Sequence, residues 1–194
     1  MNQLILASQS PRRRELLAQL GYQFICCPSD IDETVQLNES PTKYVERLAI
    51  EKAAHIAKSQ LDTTLVLGSD TCVVYQNQIL GKPESLSQSI DCLSQLSGNT
   101  HQVLTAIAVV QGELSKTMII STDETFKTLN EAEIINYWQT GEPQDKAGSY
   151  GIQGIAGQFV KHISGSYSAV VGLPLYETAK LLAEFSFPTP VQRN

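Results

Sequence analysis

Twice in this chain a serine and a proline stand at the head of an apolar stripe with helical spacing. Ser10-Pro11 precedes Leu16, Leu17 and Leu20, and Ser40-Pro41 precedes TKYVERLAIEKAAHIAKSQ. A serine hydroxyl accepts from the unpaired N–H groups of a first helical turn, and proline suits the first helical position because its missing N–H would have no partner there. A strand-like run precedes each start: LILA (4–7), and QFICCP (23–28) followed by the polar loop SDIDETVQLNES. Strands that feed capped helices point to a sheet with helices packed on it.

The rest of the chain adds hairpins to that pattern. TTLVLGSDTCVVYQNQILGKP reads as two strands around a kink at Gly68, with a turn near Asn77. SLSQSIDCLSQLSG is a helix ending at Gly98, and the segment from His101 to Leu129 is a long hairpin turning near Gly112. NEAEIINYWQTG is a helix capped by Asn130 and stopped by Gly141, and EPQDKAGSYGIQGIAG a flexible, glycine-rich loop. QFVKHISGSYSAVVG reads as a hairpin turning at Ser164-Gly165, and LPLYETAKLLAEF as a closing helix. Helices and hairpins mix, so the expected class is α/β with a mixed sheet.

Composition narrows the function. A net charge of −6 over 194 residues argues against a general nucleic-acid binder. No run approaches the ~18 apolar residues of a membrane span, and MNQLILASQS lacks the basic head and apolar length of a signal peptide. Cys26, Cys27, Cys72 and Cys92 form no CxxC and read as free thiols in a reducing cytoplasm. His55, His101 and His162 are too scattered for a zinc site.

Three features stand where their chemistry is unexpected. Arg12, Arg13 and Arg14 crowd a helix N-terminus that already carries about half a positive charge. An anion reverses the sign: phosphate oxygens would meet Ser8 and Ser10 hydroxyls, backbone N–H groups and guanidinium forks together. A solvated helix start with arginines paired to nearby acids is the ordinary alternative. Lys52 falls in the middle of the stripe Val45, Leu48, Ala49 and Ile56, where a lysine either meets an anion or snorkels out. Asp70 interrupts LVLGSDTCVV; a carboxylate in a buried strand is costly unless paired or metal-bound, and a turn aspartate capping its own backbone is the alternative.

Lys82 follows the next strand and can approach Asp70 if 71–75 and 79–83 pair. Glu33 in DIDET could add a loop carboxylate, although loop acids are usually just solvated. Carboxylates with Lys and Arg, and no evident histidine base or cysteine nucleophile, suit metal-assisted hydrolysis of a phosphoanhydride. Mg²⁺ takes one or two protein carboxylates and leaves other positions to phosphate and water. Gln153 carries a donor and an acceptor and could read a base edge; a solvated glutamine is the commoner case.

LASQSPRRRELL, DET, EKA, LGSDTCVV, GKP, HQVLTAIAV, DKAGSYGIQG and GSYSAVVGLPL, in this order, resemble the blocks of the Maf family of nucleoside triphosphate pyrophosphatases over nearly the whole chain. The resemblance implies a mixed, twisted sheet with flanking helices, similar to the inosine-triphosphatase type, in two lobes around a cleft. It implies a single domain over 1–187; the low-complexity end SFPTPVQRN reads separately as a frayed, flexible tail over 188–194. Asp70 would be the proton acceptor. Glu33, Lys52 and Lys82 would join it in catalysis, with Ser8 and Arg13 on the phosphates and Glu33 and Asp70 on a divalent Mg²⁺ or Mn²⁺. Arg12, Thr71 and Gln153 would choose the base. GSYGIQG looks like the branch acting on dTTP and UTP; a sister branch acting on 7-methyl-GTP has Glu in place of this Gln. Ser69 and Cys72 depart from the family's usual small and hydrophobic residues without removing a catalytic group. A cytoplasmic enzyme of nucleotide-pool sanitation is expected, with a nucleoside triphosphate as its partner and no nucleic acid or membrane. A homodimer and a nucleotide-sensing role in cell division stay open.

Overall fold

The computed structural model describes residues 3–192. Both serine–proline signals begin helices. In α1 (Pro11–Gln19) the Ser10 hydroxyl accepts from Arg13 N at 3.4 Å, and in α2 (Pro41–Ala57) the Ser40 hydroxyl accepts from Lys43 N at 3.3 Å. Ser85 caps α3 (Leu86–Leu96) in the same way, and Asn130 with Glu133 forms a reciprocal capping box on α4 (Glu131–Gln139). Two more helices follow, α5 (Tyr167–Val171) and α6 (Leu175–Glu184).

The strands are β1 (Leu4–Leu6), β2 (Ile25–Cys26), β3 (Leu65–Tyr75), β4 (Gln78–Leu80), β5 (Thr100–Gln111), β6 (Leu114–Phe126) and β7 (Val160–Ser164). Their order is β2-β1-β3-β5-β6-β7, with β4 also on β3. β1 pairs parallel with β2 and β3, while β3–β4 and β6–β7 are antiparallel, so the sheet is mixed as expected. Gln76 and Asn77, both at positive φ (49° and 64°), make the two-residue turn between β3 and β4.

The chain divides into two compact units. Of the described residues, the first holds 3–70, 105–120 and 172–192. Its core includes Leu4, Leu6, Leu17, Leu48, Leu65, Leu67, Ile107 and Leu173, each no more than 1% exposed. The second holds 71–104 and 121–171, and its core gathers Val73, Leu93, Leu96, Phe126, Ile134, Tyr137, Tyr150 and Phe159. No helix of the described residues is long and apolar enough to cross a membrane.

Three expectations need correction. β3 runs unbroken through Gly68, which makes room for a helix rather than a kink. The run at 23–28 pairs only over Ile25–Cys26. Ser164-Gly165 is not a hairpin turn: Ser166 N donates to Thr122 Oγ1 at 3.0 Å, and the Ser166 hydroxyl accepts from Ala169 N, so the chain enters α5. In the tail, Thr189 is buried and Pro190 lies against Gly21, whereas residues 193 and 194 lie outside the described residues.

Candidate active site

Gly68 organises the first unit's site. A Cβ there would stand 2.2 Å from Ala49 O and 2.9 Å from Ala53 N, so α2 lies directly on β3 at this point. Residues two apart share a strand face, which puts Asp70 on the face that α2 covers. Lys52, one residue before Ala53, therefore points down at it. Its Nζ is 2.7 Å from Asp70 Oδ1 and 2.7 Å from Glu33 Oε1. Lys52 is 7% exposed and Asp70 6%, so the lysine does not snorkel and the aspartate is no turn residue. Glu33 is exposed, yet it is ion-paired rather than merely solvated.

Arg13 joins this group. Its Nε donates to Gly172 O at 2.9 Å, and the same carbonyl accepts from the buried Ser69 hydroxyl at 2.9 Å. Burial lowers the Arg13 pKa, with Asp70 and Glu33 pulling it up and Arg12 pushing it further down. The Asp70 carboxyl is raised by burial above its ordinary 3.8, with Lys52 and Arg13 opposing and Glu33 reinforcing the rise. Two acids and two cations thus share one electrostatic neighbourhood. Ser8, just before the cap of α1, is buried, and its hydroxyl accepts from Ser10 N at 3.1 Å. Arg12 is partly exposed at the head of α1, and Arg14 is exposed.

The loop bearing Glu33 is held by residues that sequence reasoning missed. Tyr44 Oη donates to Glu33 O at 3.0 Å, and Arg47 Nη2 donates to Thr34 O at 3.1 Å. Arg47 grips both Glu39 oxygens, at 2.6 and 2.8 Å, and reaches Glu51 at 3.1 Å. Of these contacts only Arg47–Glu51 has a spacing, four residues along a helix, that a sequence pattern can show.

The remaining predicted residues belong to the second unit. Thr71, half-buried, follows Asp70 in β3. Lys82 is exposed just after β4, beside Gly81, whose carbonyl accepts from Gly148 N at 3.0 Å. Gln153 is exposed among short 3₁₀ turns at Glu142–Asp145, Ala147–Ser149 and Ile155–Phe159. Turns, not a flexible loop, fill the glycine-rich segment.

Among the described residues no three His, Cys, Asp or Glu side chains gather to hold a metal. Glu33 and Asp70 nonetheless present two hard oxygens, each 2.7 Å from a single cationic atom. That pair fits a divalent ion taking its other ligands from phosphate and water.

Fold and site together define a class: a mixed α/β protein with a buried, charge-compensated carboxylate beside an arginine-bearing helix start, suited to a polyanionic ligand. Residues 3–185 match the family described as Maf-like protein. The chain is 65% identical over 188 residues to the dTTP/UTP pyrophosphatase of Colwellia psychrerythraea, covering 95% of this chain and 89% of that protein. The proteins of that name from Pseudoalteromonas translucida and Pseudoalteromonas atlantica are 57% and 53% identical, covering 95% and 94% of this chain and 97% of each relative. The Staphylococcus aureus Ham1 protein is similar in structure, with a TM-score of 0.47 and 17% identity over 64% of this chain and 72% of that one. The chain belongs to the Maf family.

Proposed function

We propose that this protein is a nucleoside triphosphate pyrophosphatase that cleaves dTTP and UTP to the monophosphate and pyrophosphate, clearing nucleotide pools in the cytoplasm. One observation carries the reading: a buried aspartate with a raised pKa, ion-paired to a buried lysine and electrostatically coupled to Arg13 and Glu33. The relatives' shared activity supplies the substrate.

In this reading Asp70 removes a proton from water as the oxygen attacks the α-phosphorus. The bond from the α-phosphorus to the bridging oxygen breaks, and pyrophosphate leaves with its electron pair. A raised carboxyl pKa makes Asp70 a stronger base than a surface aspartate. Lys52 orients Asp70 and keeps it ionised, while Arg13 and Lys82 balance charge on the phosphates and the leaving group. Ser8 binds at the phosphate end, and Arg12, Thr71 and Gln153 select the base. Glu33 and Asp70 would hold Mg²⁺ or Mn²⁺, which when bound supplies Lewis-acid polarisation of phosphate oxygens.

Product analysis with dTTP, UTP, dCTP and 7-methyl-GTP, each with Mg²⁺ or Mn²⁺, tests the reading. Pyrophosphate from dTTP and UTP is expected. Release of orthophosphate, or faster turnover of 7-methyl-GTP, overturns it.

A further inference from the structure

Gln153 lies in a segment rich in glycine, yet its backbone is tied on both sides within the second unit. Gly151 N donates to Tyr137 Oη at 3.3 Å, and Gly154 N donates to Gly151 O at 3.0 Å. Ile155 N donates to Glu142 Oε2 at 2.8 Å and Ala156 N to Glu142 Oε1 at 3.3 Å. Tyr137 Oη itself donates to Glu142 Oε1 at 2.8 Å, so one carboxylate gathers three donors. Upstream, the buried Tyr150 hydroxyl donates to Glu124 and lies 2.7 Å from His101 Nε2.

The glycines make room for this clamp. A Cβ on Gly154 would stand 2.3 Å from Glu142 Oε2, and one on Gly151 would stand 2.7 Å from Lys146 Cε. Burial would raise the Glu142 carboxyl, but the hydrogen bonds from Ile155, Tyr137 and Ala156 together hold it below 4.5, so it is charged at neutral pH. Between these ties Gln153 is exposed.

We infer that Glu142, seconded by Tyr137, is a positioning residue that fixes the main chain at Gln153 so that its amide meets the base in one orientation. The inference rests on the pyrophosphatase reading and on Gln153 as the base reader. An amide distinguishes bases by a directed donor and acceptor, and a backbone already immobilised loses less freedom on binding.

The test compares kcat and KM for dTTP, UTP and dCTP in the wild type, E142Q, Y137F, Q153A and the double variant E142Q/Q153A. E142Q and Q153A are each expected to raise KM for dTTP about tenfold with kcat within about threefold, and to narrow the preference over dCTP. The double variant should be no more than about twofold worse than Q153A alone, because both changes act through one contact. Y137F should move KM the same way by a smaller factor, and it carries the test if circular dichroism shows E142Q unfolded. Additive effects in the double variant, or unchanged KM and selectivity in folded E142Q and Y137F, overturn the inference. A Q153A protein with wild-type selectivity overturns it too, while leaving the reaction standing. Wild-type protein that releases no pyrophosphate from any nucleotide overturns the pyrophosphatase reading, and the inference with it.

Discussion

Asp70 and Glu124 are both buried strand carboxylates, and the protein treats them in opposite ways. Asp70 meets the Lys52 ammonium at 2.7 Å, and its partner Glu33, with a side chain 47% accessible, opens the cluster to solvent. Glu124 is sealed: it accepts from neutral Tyr150 and stands 3.5 Å from His101 Nε2, inside a packing of His101, Phe126 and Tyr150 rings. Glu124 Oε1 and His101 Nδ1 have no hydrogen-bond partner among the described residues. Burial alone therefore does not mark an acid as chemical. In the proposed mechanism, burial beside cations with a route to water sets Asp70 apart, and burial among aromatic rings makes Glu124 a strut.

The largest effect should separate the two acids outright. Asp70→Asn is expected to lower kcat for dTTP by about a thousandfold or more, whereas Glu124→Gln keeps kcat within about threefold. Equal losses in pyrophosphate release would dissolve the contrast. Lys52→Met comes next: it strands a buried carboxylate, and urea denaturation should report a loss of about 3 kcal/mol, in the range for breaking a buried pair. Loss below about 1 kcal/mol would mean that Lys52 is not Asp70's main counter-charge. Tyr150→Phe should cost about 1–2 kcal/mol by the same assay, as a buried acceptor loses its donor, and leave kcat nearly unchanged.

The smallest effect concerns pH. The folded protein keeps the Asp70 proton to higher pH than the unfolded chain, because burial raises that pKa above 3.8. This group therefore favours the folded state below 3.8, and that contribution fades as pH rises through the raised value. Activity runs the other way, since the base must be ionised. The acid limb of kcat/KM should lie above 3.8, and Arg13→Gln should move it upward by removing a cation that lowers Asp70. A limb that stays in place or moves down would show that Arg13 does not govern the base.

Much of this was legible beforehand, and the reasons differ by residue. Ser10, Ser40 and Asn130 announced their helices because a cap is a contact between residues three apart. Lys52 and Asp70 were visible as polar residues in apolar patterns, although which anion the lysine met was not. Glu142 carried no such sign: a glutamate before a proline looks like any turn residue, and its backbone donors lie 13 and 14 residues on. Ser166 did carry one, since a serine three residues before Ala169 is an ordinary cap, but the preceding Ser-Gly pair masked it.

By itself the sequence determined the order and type of most elements, since caps, turns and apolar periods act over a few residues; α5 and the 3₁₀ turns were the exceptions. Only the tertiary structure decided which charges meet. Lys52 reaches Asp70 across 18 residues and Arg13 reaches Gly172 across 159. The first pairing depends on α2 settling onto β3 where Gly68 has no side chain, and close packing between distant segments leaves no trace in any short pattern.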